Sequence, residues 1–126
     1  MKKFTKMCAV AACALFAGTA TVSAEDYVWK SVTAGDATTY GIRSDGSLWS
    51  WGWNEKGQSG NGVSERTATP TLADGNRVWK KTVGGKAYGF FLAEDGSLWA
   101  AGTATNGVQG TNDGVDHKVL TRIGTD

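Results

Sequence analysis

The feature that most constrains this chain is a tandem duplication with an offset of 50 residues. The sequence Asp-Gly-Ser-Leu-Trp at 45–49 returns unchanged at 95–99, and Val-Trp-Lys at 28–30 returns at 78–80. Such a period indicates repeated supersecondary units, and we divide the chain into a first repeat at 25–76 and a second at 77–126. The shared residues that we interpret as structural are Trp29, Gly35, Asp45, Gly46, Trp49, Gly52, Gly57 and Gly60, with their counterparts Trp79, Gly85, Asp95, Gly96, Trp99, Gly102, Gly107 and Gly110.

Each repeat contains short runs of aromatic and branched residues and shows no amphipathic helical period. In the first repeat, an Asp-Gly pair separates two such runs at 40–43 and 47–51, which predicts a hairpin because glycine accepts a positive φ. The fold class is therefore all-β, with three to four strands per repeat. Pro70 restricts its strand to a sheet edge or a strand start. The other predicted strands lie at 28–32, 69–72, 78–83, 88–93, 97–101 and 118–123.

Residues 1–24 have the pattern of a secretory signal peptide. Three lysines precede an uncharged apolar run at 7–16, and small residues lead to Ala24, after which cleavage is predicted. The apolar run is shorter than the roughly 20 residues needed to span a bilayer. We expect an exported protein that is periplasmic, secreted or on the cell surface. The segment that ends at Cys13 also resembles a lipoprotein cleavage box, so lipid attachment at Cys13 is the alternative.

The chain beyond the leader offers little material for catalysis. Both cysteines, Cys8 and Cys13, lie in the leader, so no thiol is left for a disulfide, a metal or a nucleophile. His117 is the single histidine, and no Gly-x-Ser-x-Gly motif is present. The oxygen-rich cluster at 112–116 has too few ligands for a calcium loop. The sequence predicts a protein that is not an enzyme, with no metal and no cofactor.

Charge gives a further constraint on partners. Removal of the leader takes three of the 13 basic residues and none of the 12 acidic ones, which leaves a formal charge of −2. That balance provides no basic surface for nucleic acid or anionic membranes. We expect a protein partner or a second copy of the chain, and no transmembrane segment beyond the leader.

The first repeat resembles the regulator of chromosome condensation repeat in its bacterial form. The matching elements are the Ala-Gly pair at 34–35, Asp-Gly-Ser-Leu-Trp-Ser-Trp-Gly at 45–52 and Asn-Glu-Lys-Gly-Gln-Ser-Gly at 54–60. The resemblance implies propeller blades of four antiparallel strands arranged around an axis. The second repeat departs from the family pattern more than the first. The departures are Thr38 and Tyr88 at the usual histidine position, and Ala101, Ala104 and Val108 in the second repeat.

Two blades form an incomplete propeller, because they share one interface and leave two outer faces open. Repeats of this kind usually need about three copies to be stable, and large exposed apolar faces usually mark partner sites or aggregation liabilities. Three arrangements follow. Copies assemble side by side into a ring, other chains complete the ring, or the chain is a fragment of a longer propeller.

The candidate binding residues are Trp51, Trp53, Asn54 and Glu55. Trp49, Trp51 and Trp53 alternate along one predicted strand, so we expect them on one face. Packing between blades is the preferred interpretation for Trp49 and Trp99. Trp53 does not recur and lies beside a glycine-rich loop, which makes it the best candidate for an exposed anchor.

We expect an exported, non-catalytic protein-binding scaffold whose loops at 54–66 and 103–116 contact a partner. One alternative is a cell-surface carbohydrate-binding module that uses Trp51, Trp53 and Tyr40. A second alternative is an enzyme-inhibitor-like propeller fragment. It comes from resemblance alone, since secreted bacterial propellers with similar repeats include a β-lactamase inhibitory protein. The nucleotide-exchange role of the family on a nuclear GTPase is not expected for an exported chain of two repeats.

Overall fold

The computed structural model describes residues 27–124, which form two four-stranded antiparallel sheets. Neighbouring strands in each sheet follow one another in the chain. The expected all-β architecture of two blades is confirmed, while the predicted leader with Cys8 and Cys13 lies outside the described residues. Blade 1 consists of β1 (Trp29–Ala34), β2 (Thr38–Arg43), β3 (Leu48–Gly52) and β4 (Thr67–Asp74). Blade 2 consists of β5 (Trp79–Gly84), β6 (Tyr88–Ala93), β7 (Leu98–Gly102) and β8 (His117–Ile123).

The repeated Asp-Gly-Ser-Leu-Trp sequence forms the hairpin between the second and third strand of each blade. Gly46 has φ +86°, a conformation that side chains disfavour. Asp45 Oδ1 accepts bonds from the backbone N–H of Ser47 at 3.0 Å and from its hydroxyl at 2.6 Å. Ser47 Oγ then accepts the indole N–H of Trp49 at 2.8 Å. The same chain of bonds recurs at 95–99, so the sequence repeats because it is one complete turn unit.

Pro70 lies in β4, which is an outermost strand of its sheet, as expected. The pairing of β3 with β4 is irregular between Ser50 and Gly52, on the strand facing the proline. The only helical turn in residues 27–124 is a 3₁₀ turn at Thr105–Gly107. Within that same range, no helix has the length and apolar character needed to cross a membrane.

The two blades pack face to face, and we call this contact the inner joint. Tyr40, Ile42 and Leu48 of blade 1 and Trp79 and Phe91 of blade 2 belong to one core cluster, and all five are fully buried. The rings of Tyr40 and Phe91 meet edge to face with centroids 5.1 Å apart. Such pairs add about 0.5–1.5 kcal/mol beyond the burial of their area. The core of this molecule therefore lies between the sheets.

Glycines allow the first strands of the two blades to approach closely at one end of the inner joint. A Cβ atom on Gly35 would lie 2.3 Å from the carbonyl oxygen of Gly85, and one on Gly84 would lie 2.4 Å from the nitrogen of Gly35. The backbone N–H of Asp36 donates to Gly85 O at 3.1 Å across the same contact. The approach requires glycine at Gly35, whereas a Cβ atom on its counterpart Gly85 would meet the ring of Tyr88 in its own blade.

The opposite face of each blade has no sheet against it in residues 27–124. The first outer face, on blade 1, carries Trp29, Val32, Gly41, Arg43, Trp49 and Trp51. The second outer face, on blade 2, carries Lys81, Val83, Phe90, Leu92 and Leu98.

The two tryptophans that we expected to pack between blades differ in their surroundings. Trp99 packs against the core cluster. Trp49 lies on the first outer face, where the guanidinium carbon of Arg43 is 3.7 Å from its ring centroid.

Candidate binding loops

Loop 1, residues 54–66, is held from inside by Asn54. The side-chain amide of Asn54 donates to the carbonyl oxygens of Val63 at 3.0 Å and Glu65 at 3.1 Å. Its Oδ1 atom accepts the backbone N–H of Ser59 at 2.8 Å. Because one buried side chain bonds three points of the loop, the loop has a defined shape.

The expectation that Asn54 contacts a partner is wrong. Asn54 was a candidate contact residue, but only 1% of its surface is exposed, so it supports the loop and cannot touch a partner. Glu55, the next residue, is exposed on loop 1 and remains available for contact. A polar side chain such as that of Asn54 can contact a partner or bond its own loop, and only the fold shows that it does the second.

Loop 2, residues 103–116, reaches a defined shape with different residues. Gln109 is buried, and its amide donates to the carbonyl oxygen of Gly102. His117 Nδ1 donates to Gln109 Oε1 at 2.6 Å, and its Nε2 lies 3.0 Å from Asp113 Oδ2. Asp116 Oδ1 accepts the backbone N–H of Ala104 at 2.9 Å. The second repeat has Ala104 and Val108 at the positions of Asn54 and Gln58. In their place, Gln109, His117 and Asp116 supply the hydrogen bonds of loop 2.

The two aspartates of loop 2 are held in their ionised form by hydrogen bonds. The backbone N–H of Val115, followed by the hydroxyl of Thr111, lowers the pKa of Asp113 below its ordinary value. The backbone N–H of Ala104 lowers the pKa of Asp116 in the same way. In residues 27–124, no three His, Cys, Asp or Glu side chains lie close enough to hold a metal ion.

A cleft of about 550 Å³ lies where loop 1 meets loop 2. Lys56 comes from loop 1, and its ammonium lies 4.0 Å from Asp116 of loop 2. Lys86 and Tyr88 come from the start of β6 and the turn before it. The remaining walls are formed by Ala87, Thr103, Thr105, Asn106 and Val108. The cleft therefore combines two ammonium groups with apolar surface.

The structure separates the aromatic residues that the sequence grouped together. Trp51 lies on the first outer face, where its ring centroid is 5.6 Å from that of Trp29. Strand β3 ends at Gly52, so Trp53 lies beyond the strand, in a second cleft with Arg66 and Ala68. Tyr40 is fully buried, and its hydroxyl donates to Gln58 O at 2.8 Å. Burial also raises the pKa of Tyr40, and it cannot form part of a sugar-binding platform.

Sequence reasoning missed Lys56, Lys86 and Tyr88 as members of one cleft. The available signal was the departure at Tyr88, which replaces the usual family histidine with an aromatic residue. The two lysines carried no signal, because isolated lysines are usually exposed regardless of role.

Comparison with known proteins agrees with this geometry. Two family profiles, each described as the regulator of chromosome condensation (RCC1) repeat, match residues 29–58 and 45–92. The chain belongs to the regulator of chromosome condensation repeat family. The resemblance drawn from the sequence is thus confirmed for the family.

Relatives of the RCC1 repeat family match only a short stretch of this chain. Human Protein RCC2 is 42% identical over 48 residues, which is 36% of this chain and 9% of that protein. The Protein RCC2 homolog of Danio rerio is 50% identical over 34 residues, 27% of this chain and 7% of that protein. The chain therefore spans less than a tenth of these relatives.

Solved structures share the RCC1-repeat fold over most of the chain. Prp20p from Saccharomyces cerevisiae, described with its binding to Gsp1p and histones, has a TM-score of 0.73 at 20% identity, covering 82% of this chain and 27% of Prp20p. Human WBSCR16 has a TM-score of 0.69 at 20% identity, covering 78% and 26% of the two chains. Yeast RCC1 (Prp20) bound to Kap60 has a TM-score of 0.70 at 21% identity, covering 84% of this chain and 26% of that chain. At this identity the likeness shows the fold.

Proposed function

We propose that the chain is an exported, non-catalytic protein-binding scaffold that presents loops 1 and 2 to a partner. The observation that carries this proposal is the cleft between the two loops, whose walls come from both blades. Its volume lies within the range of about 300–1,000 Å³ that is usual for ligand pockets. Export rests on the leader pattern of residues 1–24.

The internal bonding of the loops supports a binding role. Asn54 fixes loop 1 from the inside. In loop 2 the buried Gln109 and the exposed Asp116 bond the backbone at Gly102 and Ala104. A loop that is already ordered loses little conformational entropy when a partner binds. Rigid strands that present well-defined loops are a common arrangement for recognition sites.

The chemistry of the cleft indicates what it would contact. Lys56 and Lys86 are exposed cations at its edge, while Tyr88 and Val108 supply apolar surface. A protein segment with an acidic side chain next to an apolar one is complementary to this arrangement. Among the solved neighbours of the fold, Prp20p is described with its binding to Gsp1p and histones, and yeast RCC1 (Prp20) is described in complex with Kap60.

Charge reversal at the cleft tests this proposal. The chain, expressed from residue 1, would be used to capture partners from the extracytoplasmic fraction of its cell of origin. The double variant Lys56→Glu/Lys86→Glu is expected to capture about tenfold less, or still less, of the partner that the parent chain retains, because it places carboxylates where the parent has ammonium groups.

The repeat provides a matched control. Lys30 and Lys80 are also exposed, lie outside the cleft and are counterparts of each other. Lys30→Glu/Lys80→Glu makes the same change in net charge and is expected to retain the partner. Equal capture by the parent and the cleft variant would reject the cleft as the contact site. Equal loss in both variants would show a nonspecific charge effect and would also reject it.

A further inference from the structure

The two outer faces are repeat counterparts of the two faces that meet in the inner joint. When 50 is added to the numbers of the blade 1 residues in the inner joint, the resulting residues form the second outer face. When 50 is subtracted from the numbers of the blade 2 residues in the inner joint, the resulting residues form the first outer face. Tyr40, Ile42 and Leu48 thus correspond to Phe90, Leu92 and Leu98. We propose that a second copy of this chain covers these faces, packing head to tail in the register of the inner joint.

One matched pair of residues argues strongly for a second copy. In the inner joint, the hydroxyl groups of Thr33 and Thr82 form a hydrogen bond of 2.6 Å across the blades. Their counterparts are Val83 on the second outer face and Val32 on the first. In the register of the inner joint, Val83 of one copy would face Val32 of the next. Each valine has a methyl group where its counterpart threonine has a hydroxyl group. The two partners would therefore match in polarity in the inner joint and between copies.

The exposure of these valines supports the same conclusion. Val32 is 55% exposed and Val83 is 52% exposed, although both lie in strands and on sheet faces. Single exposed apolar residues are common on protein surfaces, but each of these valines lies on a sheet face that carries several further apolar side chains, and such patches usually mark an interaction site. Contact between the valines would remove apolar surface from water, which favours association.

A hollow on the second outer face has a corresponding side chain on the first. Lys81, Val83, Phe90, Leu92 and Leu98 surround a depression of about 200 Å³. In the inner joint, the counterpart surface of Tyr40, Ile42 and Leu48 packs with Trp79 in one buried cluster. The counterpart of Trp79 is Trp29, which is 40% exposed. Trp29 of the next copy is therefore the residue expected over the hollow.

A backbone bond of the inner joint can also be repeated. The N–H of Trp79 donates to the carbonyl oxygen of Gly46 at 2.9 Å, in the hairpin turn of blade 1. The counterpart bond joins the N–H of Trp29 with the carbonyl oxygen of Gly96 in the adjacent copy. A Cβ atom on Gly96 would meet nothing within 4 Å, so this turn has room for a neighbour.

Two differences make the intermolecular joint the weaker one. In the inner joint, Asp74 Oδ2 accepts the indole N–H of Trp79 at 2.9 Å, whereas the counterpart of Asp74 is Gly124. Ala34 replaces Gly84, where a Cβ atom would lie 2.4 Å from the neighbouring backbone. The strands must separate slightly at this point, so we expect assembly that is reversible and depends on concentration.

Head-to-tail contacts of this kind close into a ring when the rotation between copies permits it. Propellers usually have about 4–8 blades, so two, three or four copies of two blades each fit that range. The inference deepens the proposed function, because it names what covers the outer faces while loops 1 and 2 bind the partner. Assembly is read out as mass alone, so a monomeric chain would overturn the assembly and leave the binding proposal standing.

Sedimentation velocity of the full chain, expressed from residue 1, tests the assembly. Between micromolar and submillimolar concentration we expect a species of two to four times the chain mass that dissociates on dilution. Val83→Glu alone and Val32→Lys alone should each raise the concentration of half-assembly by about tenfold or more. The double variant Val32→Lys/Val83→Glu places opposite charges face to face and should regain most of the assembly.

Further variants separate this joint from general effects. Val115→Glu changes an equally exposed valine on loop 2, on neither outer face, and should assemble like the parent. Ala34→Gly removes the obstructing methyl group and should lower the concentration of half-assembly. Sedimentation of the parent as a monomer at every concentration would overturn the inference. Assembly that is insensitive to the single variants, or a double variant no better than either one, would do the same.

Discussion

Trp79 and Trp29 occupy the same position in the two repeats, yet Trp79 is fully buried and Trp29 is 40% exposed. Each heads the first strand of its blade, and each ring packs edge to face on the tryptophan 20 residues later at a centroid distance of 6.3 Å. The difference arises because only Trp79 faces another blade. Identical local sequence therefore gives a core residue in one repeat and a surface residue in the other.

The largest expected effect compares these two tryptophans directly. Trp79→Ala removes a fully buried side chain and leaves Asp74 without its indole donor, so it should lower the free energy of unfolding by about 3–5 kcal/mol. Trp29→Ala should cost about 1 kcal/mol in the unassembled chain, since its contacts lie within one sheet. Urea denaturation followed by far-ultraviolet circular dichroism, at concentrations below assembly, would measure both. Equal losses would show that the inner joint is not the core of the chain.

The next comparison exchanges glycine and alanine at the ends of β1 and β5. Gly84→Ala places a methyl group 2.4 Å from the nitrogen and 2.7 Å from the Cα atom of Gly35. Backbone atoms cannot rotate away, so we expect a loss of about 1–3 kcal/mol in the free energy of unfolding. Ala34→Gly at the counterpart position should cost no more than about 1 kcal/mol, from strand entropy. Thermal unfolding of the two variants distinguishes them, and a neutral Gly84→Ala would contradict the close approach.

The smallest expected effect compares the two loops in acid. Asp113 and Asp116 have a lowered pKa in the folded chain, so their contribution to loop 2 is complete above the unfolded pKa of about 3.9. It is lost as the pH falls below that value and through the folded pKa. Loop 1 depends on Asn54, which does not titrate.

Nuclear magnetic resonance can follow this difference through individual backbone N–H groups. The signals of Ala104 and Val115, which donate to the two aspartates, should shift in acid before that of Ser59, which donates to Asn54. Asp116→Asn serves as the control, because it should remove the acid response of Ala104. Simultaneous shifts in both loops would indicate global unfolding instead.

Much of the fold followed from local sequence. The two Asp-Gly hairpins were predictable, because Asp45 and Ser47 complete the turn with bonds to residues at most two positions away. The strands were predictable from aromatic and branched residues, and the edge position of β4 from Pro70. Gly35 and Gly85 were interpreted as structural from their recurrence, although the sequence did not show that they approach each other.

The candidate site was predicted less well. Loops 1 and 2 were predicted as the contact regions of the scaffold, but the role of Asn54 within them was assigned wrongly. Asn54 is polar enough to contact a partner and equally able to bond its own loop, and local sequence does not distinguish these roles. Lys86 and Tyr88 join Lys56 in one cleft only because blade 2 packs beside blade 1.

The sequence alone determined that the chain has two equivalent sheets, where their hairpins lie and which residues alternate between the two faces of each strand. Those properties depend on interactions between residues that are close in sequence, so they are the same in both repeats. The tertiary structure decided which face is covered. Burial depends on whether another sheet is present at that face, and this is why Trp79 became core while Trp29, Val32 and Val83 stayed exposed.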